Sequence, residues 1–302
     1  MKKLLSFWVL LTAVVILPAW DASTDCSPKT YETRFLSPVK IPIYLSGTFG
    51  ELRTNHFHSG IDIKTQGREG IPIYAIEEGY VSRIKVSAYG FGKALYINHP
   101  SGHTSVYAHL SGFNERIDSI VHALHYANKS YELNKYYGPR SIPVEAGELI
   151  GYSGNSGGSF GPHLHFEIRD ADTQEPLNPL AFGYGINDEV APHMEYLYIY
   201  PQGVGKKYKP KRYTTYRQND GNYRIGETLI ESNASRLAFG LAAHDQMNGS
   251  YNHNGIYEMT VAVNGQQIFN FSMDRFAFAD TRYIQAHSDY RAKKVDRKNV
   301  YS

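Results

Sequence analysis

Apolar and polar positions alternate in short runs along most of this chain, and the runs predict strands. The clearest are Ile71–Ile76, Tyr80–Val86, Ala94–Asn98 and Thr104–Ala108, with Glu77-Glu78-Gly79 and His99-Pro100-Ser101-Gly102 as the turns between neighbours. A further strand opens at His163 behind the glycine-rich stretch 151–161. The period changes once, between 113 and 137. Ile117, Ile120, Val121 and Leu124 recur at i, i+3, i+4 and i+7, which predicts an amphipathic helix that Asn114 can cap. Beyond a boundary near 188–192, alternation returns at Met194–Tyr200, Arg236–Ala243, Tyr257–Val263 and Gln266–Phe271. Asn264-Gly265 separates the last two runs, and that dipeptide is a strong hairpin signal.

The expected fold is therefore mainly β. An antiparallel β-sheet domain with a helical insertion occupies 27–190. A β-sandwich-like C-terminal domain follows over 191–302, complete or cut short at its end. The first 22 residues read differently. Lys2 and Lys3 precede an apolar run, Leu4–Leu17, that is short for a membrane span, and small residues follow at 18–22. This is the pattern of a secretory signal peptide, with no transmembrane span expected after its removal. The compartment expected is the periplasm or cell envelope.

Composition narrows the function classes. The chain has 302 residues, of which 42% are hydrophobic, enough for a real core. A formal charge of +2, with no polybasic block, argues against nucleic acid as a partner. Cys26 is the only cysteine, so no intramolecular disulfide forms. A thiol so close to a signal peptide raises lipidation, but Asp25 before it is a poor context.

Candidate chemistry lies in the histidines. His163 and His165 stand at i and i+2 of a strand and share a face, while Leu164 and Phe166 turn to the core. Paired imidazoles suit a metal centre better than packing, because every ring nitrogen needs a partner. His58 and Asp62 lie four residues apart, and His109 closes the Thr104–Ala108 strand. Three of these five residues can hold a divalent ion, with two histidines left to move protons. Zinc lowers the pKa of water toward about 7 and polarises a carbonyl, so the chemistry points to metal-assisted amide hydrolysis. His56 is a weaker ligand choice than His58. His99 and His103 read as turn histidines, and His122 and His125 as surface residues of the helix. Tyr107 and Asn155 are candidates for substrate contact. The loop Asp245–Asn254 reads as a polar hairpin loop rather than a calcium site.

Three segments carry a family resemblance. His58-Ser59-Gly60-Ile61-Asp62, Tyr107-Ala108-His109-Leu110 and Gly161-Pro162-His163-Leu164-His165-Phe166-Glu167 resemble the signature segments of the LytM/lysostaphin zinc endopeptidases, and the lead-in 147–157 matches too. The resemblance covers about 45–183. It implies zinc bound by His58, Asp62 and His165, with His109 and His163 as the catalytic pair. It also implies a groove above an antiparallel sheet, and peptidoglycan stem peptides or cross-bridges as substrate. The segment between Leu110 and Gly147 is longer than in compact members. With the β-rich tail, it resembles exported members of Bacteroides-like Gram-negative bacteria, which implies a D-alanyl–diaminopimelate bond as target. Residues 27–50 are too short for a blocking prosegment. Two other readings compete: a non-catalytic peptidoglycan-binding or hydrolase-activating module on the same fold, and a secreted protease acting on proteins.

Overall fold

The fold is that of a computed structural model, which describes residues 30–186, 188–203 and 210–302. The expected signal peptide and Cys26 lie outside the described residues. Among the described residues, no helix is long and apolar enough to cross a membrane.

The main sheet is antiparallel throughout. Its strands are β1 (Leu45–Gly47), β2 (Ile61–Lys64), β3 (Pro72–Tyr74), β4 (Gly79–Val86), β5 (Lys93–Asn98), β6 (His103–Leu110), β7 (Gly112–Phe113), β8 (Leu133–Tyr136), β9 (Pro143–Val144), β10 (Leu149–Tyr152), β11 (His163–Asp170) and β12 (Pro176–Leu177), less β3, β10 and β7, which form a small sheet of their own. The order across the large sheet is β1-β2-β11-β6-β5-β4-β8. Alternation explains the burial: Ile61, Ile63, Leu164, Phe166, Leu95, Ile97 and Tyr107 are all fully enclosed. Tyr107 is thus a core residue whose hydroxyl accepts from the Ile76 amide at 3.1 Å, and its side chain is fully enclosed.

The insertion holds helix α1 (Glu115–Asn128). The Asn114 side chain accepts from the Ile117 amide at 2.9 Å, which satisfies one orphan donor of the first turn. Ile117 and Val121 are buried, and Lys129 ends the helix in the left-handed conformation. The chain then returns as β8 to the edge of β4. Nothing in Leu-Asn-Lys-Tyr announces that strand, because only Leu133 is buried.

The C-terminal residues form a second antiparallel sheet, ordered β15-β14-β13-β16-β19. Its members are β13 (His193–Gln202), β14 (Lys211–Arg217), β15 (Tyr223–Ile225), β16 (Arg236–His244) and β19 (Val300–Tyr301), with the short helix α2 (Tyr290–Asp296) before β19. Asp289 caps α2 by accepting from the Arg291 and Ala292 amides. The remaining pair, β17 (Glu258–Val263) and β18 (Gln266–Ser272), is a hairpin closed by Asn264-Gly265 and is a compact unit separate from the rest.

The loop after β16 closes on itself through paired Asp245 and Asn254 backbone bonds of 3.0 and 2.8 Å. It is a hairpin loop, and it lies against β1. The Leu45 amide donates to Met247 Sδ at 3.1 Å, and the Ser250 hydroxyl donates to the Leu45 carbonyl at 3.2 Å.

Gly60, just before β2, faces the Phe166 carbonyl so closely that a Cβ would collide with it. The partner is backbone of the central strand and cannot swing aside. Gly60→Ala is expected to cost about 2–4 kcal/mol of stability, read as a lowered denaturation midpoint. An unchanged midpoint would show that the two strands can separate locally at no cost.

Candidate metal centre

Strands β2 and β11 pair so that His165 sits directly opposite Asp62, and His163 opposite Lys64. Opposed residues of an antiparallel pair project to the same face. His58 reaches the same face from the turn ahead of β2. Its Nδ1 donates to the Thr48 carbonyl at 2.7 Å, which fixes the tautomer and leaves Nε2 with a lone pair. His165 is held the other way round. Its Nε2 donates to Glu167 Oε1 at 2.9 Å, so Nδ1 points at Asp62. The result is three acceptor atoms in mutual contact. His58 Nε2 lies 3.1 Å from His165 Nδ1, and Asp62 Oδ1 is 3.1 and 3.0 Å from the two.

Such a cluster repels itself unless a cation sits among the lone pairs. Ligands at ~2.0–2.1 Å in a tetrahedral zinc site stand roughly 3.3 Å apart, close to the separations seen. All three residues are buried, and this is the group of metal-ligating type found among the described residues. The donor set therefore fits zinc. A proton serves the same electrostatic purpose without the metal. Burial opposes a charge on His165, but hydrogen bonds to Asp62 and Glu167 outweigh it and raise its pKa to about 9. Asp62 is buried too, yet the His58 charge and its imidazole contacts hold its pKa well below the ordinary carboxylate value.

Glu167 supports this arrangement from beneath. It is fully buried, accepts from Ser59 Oγ, and is paired with Arg169, whose Nε donates at 2.6 Å. Burial works against its charge, but Arg169 beside it brings its pKa down to about 2. A carboxylate behind a ligating imidazole fixes ring orientation and raises basicity. The sequence reading missed this role, although Glu167 stands at i+2 from His165 and so had to share its face.

His109 and His163 flank the cluster, with ring centroids 4.8 Å apart. His163 Nε2 is 3.5 Å from Asp62 Oδ1, and its Nδ1 donates to the Gly161 carbonyl at 2.9 Å. His109 ends β6 with φ 59°, an unusual conformation for a residue with a side chain. Its amide donates to the Phe91 carbonyl at 2.9 Å, and Nδ1 donates to the Ser156 carbonyl at 2.8 Å. Nε2 is thereby kept unprotonated toward the cluster. Burial is the main cause that lowers the His109 pKa to about 4, with the nearby His165 charge adding to it. The glycine-rich stretch makes this possible. At Gly154 a Cβ would strike the Ser111 amide and stand 2.8 Å from the His109 carbonyl.

All five residues line one groove of about 1150 Å³, together with Phe91, Phe160 and the 158–162 loop. His56 is exposed and bonds Asn55 at 2.8 Å. His99 is bound between the Glu78 carbonyl and Ser105. His122 pairs with Asp118 on the exposed face of α1. Asn155 is exposed and is not among the groove-lining residues.

Residues 56–123 and 119–179 match the model of peptidase family M23. A DD-carboxypeptidase/endopeptidase, Mpg, of Neisseria meningitidis is 32% identical over 130 residues, covering 43% of this chain and 24% of that protein. The glycyl-glycine endopeptidase ALE-1 of Staphylococcus capitis is 31% identical over 137 residues, covering 43% of this chain and 31% of that protein. The chain thus spans only about a quarter to a third of the length of these relatives. Among solved structures, the catalytic domain of lysostaphin from Staphylococcus simulans is 26% identical, covering 46% of this chain and 88% of that one, with a TM-score of 0.33.

Because His165 carries a proton up to about pH 9, a metal entering the cluster must displace it. Below that pH, apparent zinc affinity is expected to fall about tenfold for each unit of acidification that His165 alone contributes. Calorimetry in buffers of different ionisation enthalpy at pH 7 reads this as at least one proton released per zinc. No proton release would show that His165 is already neutral or takes no part.

Proposed function

We infer that residues 56–179 of this mainly β, antiparallel protein, which match the model of peptidase family M23, form a peptidase domain. We propose that the domain expected over 27–190 is a zinc endopeptidase that hydrolyses peptide cross-links of bacterial peptidoglycan in the cell envelope. The observation that carries this reading is the convergence of His58 Nε2, Asp62 Oδ1 and His165 Nδ1, with the opposite nitrogen of each imidazole bonded to a named acceptor. The names of the relatives, an endopeptidase with DD-carboxypeptidase activity and a glycyl-glycine endopeptidase, support an amide of a wall peptide as the substrate.

Bound zinc would supply Lewis acidity, polarising a substrate carbonyl and acidifying water near neutral pH. The chain supplies the rest. His58, Asp62 and His165 hold the ion. His109, neutral at working pH, presents Nε2 as an acceptor for the proton of attacking water, with Nδ1–H held on Ser156. His163, clamped by Gly161 through Nδ1, faces the same space, and in its doubly protonated form Nε2–H would donate toward charge developing on the carbonyl oxygen. The proton taken by His109 then passes to the leaving amine, so the cycle returns both imidazoles to their starting state.

The test is a digest of purified Gram-negative sacculi by zinc-loaded protein, with products identified by mass spectrometry. Wild type is expected to convert cross-linked dimers to monomers. His163→Ala should keep zinc and lose at least about a hundredfold in rate, in line with the loss of one acid–base or oxyanion partner. His165→Ala should lose zinc itself. Zinc-dependent cleavage that survives both changes would sink the assignment. Sacculi bound but uncut by zinc-loaded wild type would favour a binding module.

A further inference from the structure

The C-terminal region carries a second group of histidines, where β13 begins and β16 ends. His193 and His244 are directly opposed across these antiparallel strands. Opposed side chains share a face, with Cβ atoms about 4.5–5.5 Å apart, and here the two ring centroids stand 5.2 Å apart. His253 joins them from the loop after β16. The backbone bonds between Asp245 and Asn254 fold that loop back, and the His253 ring stacks on His244 at 3.7 Å with 16° between the planes. The three rings border an open recess of about 530 Å³, together with Glu195 and Lys298.

Two of the rings are held from behind. Glu195 Oε1 lies 3.1 Å from His244 Nδ1 and accepts from Lys298 Nζ at 2.9 Å. His193 Nδ1 lies 3.1 Å from the Tyr223 hydroxyl. Among the described residues, no hydrogen bond takes up Nε2 of His193 or His244, or either nitrogen of His253. Two imidazolium rings at a stacking distance repel each other, so the stacked pair needs at least one neutral ring. A neutral imidazole with a free nitrogen is the form that ligates zinc, and a carboxylate behind it is the usual support. The nitrogens are not drawn to one point, as those of His58 and His165 are. His193 and His253 are exposed, however, and their side chains are free to turn onto an ion.

We propose that His193, His244 and His253 form a second zinc site, a clasp that fixes the 245–254 loop to the ends of β13 and β16. Three imidazoles leave the fourth position of a tetrahedral ion to water or to Glu195. The loop carries Met247 and Ser250, which bond the Leu45 backbone, so an ion on His253 steadies the hold of the loop on β1. All three histidines lie outside the residues that match the peptidase family. The clasp is therefore independent of the chemistry in the groove.

The probe is Zn2+ alone, titrated by calorimetry into the full chain carrying His165→Ala, in which the groove cluster is broken. One equivalent is expected to bind still. Zinc at about a hundredfold above its Kd should raise the unfolding midpoint of that protein by roughly 5 °C. Adding His253→Gln should weaken the remaining equivalent at least about tenfold and remove most of the shift. His253 is exposed, and the zinc-free midpoint checks that the change leaves the fold intact. In wild type the two sites are separable: His165→Ala removes one equivalent and His253→Gln the other. No zinc bound by the His165→Ala protein would overturn the clasp. Binding and a midpoint shift that His253→Gln leaves unchanged would overturn it equally.

Discussion

The register between β2 and β11 is the constraint on which the site depends. It places Asp62 opposite His165 and, by the two-residue period of a strand, His163 on the same face. A slip of one residue would turn every one of these side chains into the core and bring Ile61, Ile63 and Leu164 to the surface. The large apolar area under the sheet therefore fixes the geometry of the His58–Asp62–His165 cluster. The site is held by burial that has no chemical role of its own. Gly60 adds to this by letting the two backbones approach where a side chain would part them.

The polar part of the site is a set of decisions about protons. Thr48, Ser156 and Gly161 each offer a backbone carbonyl to the Nδ1 of one histidine, and Glu167 takes the Nε2 proton of another. Carbonyl and carboxylate acceptors thus dictate which nitrogen of each ring faces the groove. Glu167 can do this while fully enclosed because Arg169 and Ser59 satisfy its other contacts. The C-terminal region adds charge to one wall through Lys293 of α2, so residues from both parts of the chain line a single groove.

The strands that could be read from the sequence are those that form short, apolar-rich runs bounded by turn residues: β4, β5, β6, β13 and β16 all fall within a few residues of their expected bounds. Helix α1 and its Asn114 cap were legible for the same reason, since periodicity and capping are local. β8, β14 and α2 were not. Their residues are mostly exposed, so no buried face marks them: β8 becomes a strand by pairing with the distant β4, and α2, capped by the adjacent Asp289, buries none of its residues. The five candidate site residues were legible because short motifs concentrate them. His193, His244 and His253 were not, because they are spread over the C-terminal region and only the register of β13 with β16 and the folded-back loop make them neighbours. Tyr107 shows the opposite error: a place beside His109 in a motif suggested contact with substrate, yet strand alternation turns its side chain into the core.

The loop that packs on β1 has a meaning apart from the groove. β1 is the outermost strand of the large sheet, and its outward amide and carbonyl at Leu45 are taken by Met247 and Ser250. An uncovered edge is a template for strand addition by another copy of the chain. The C-terminal region thus works as a guard against self-association. A large sheet freed of it by proteolysis would keep His58, Asp62 and His165 but gain a sticky border, and colloidal behaviour would be the first property to change.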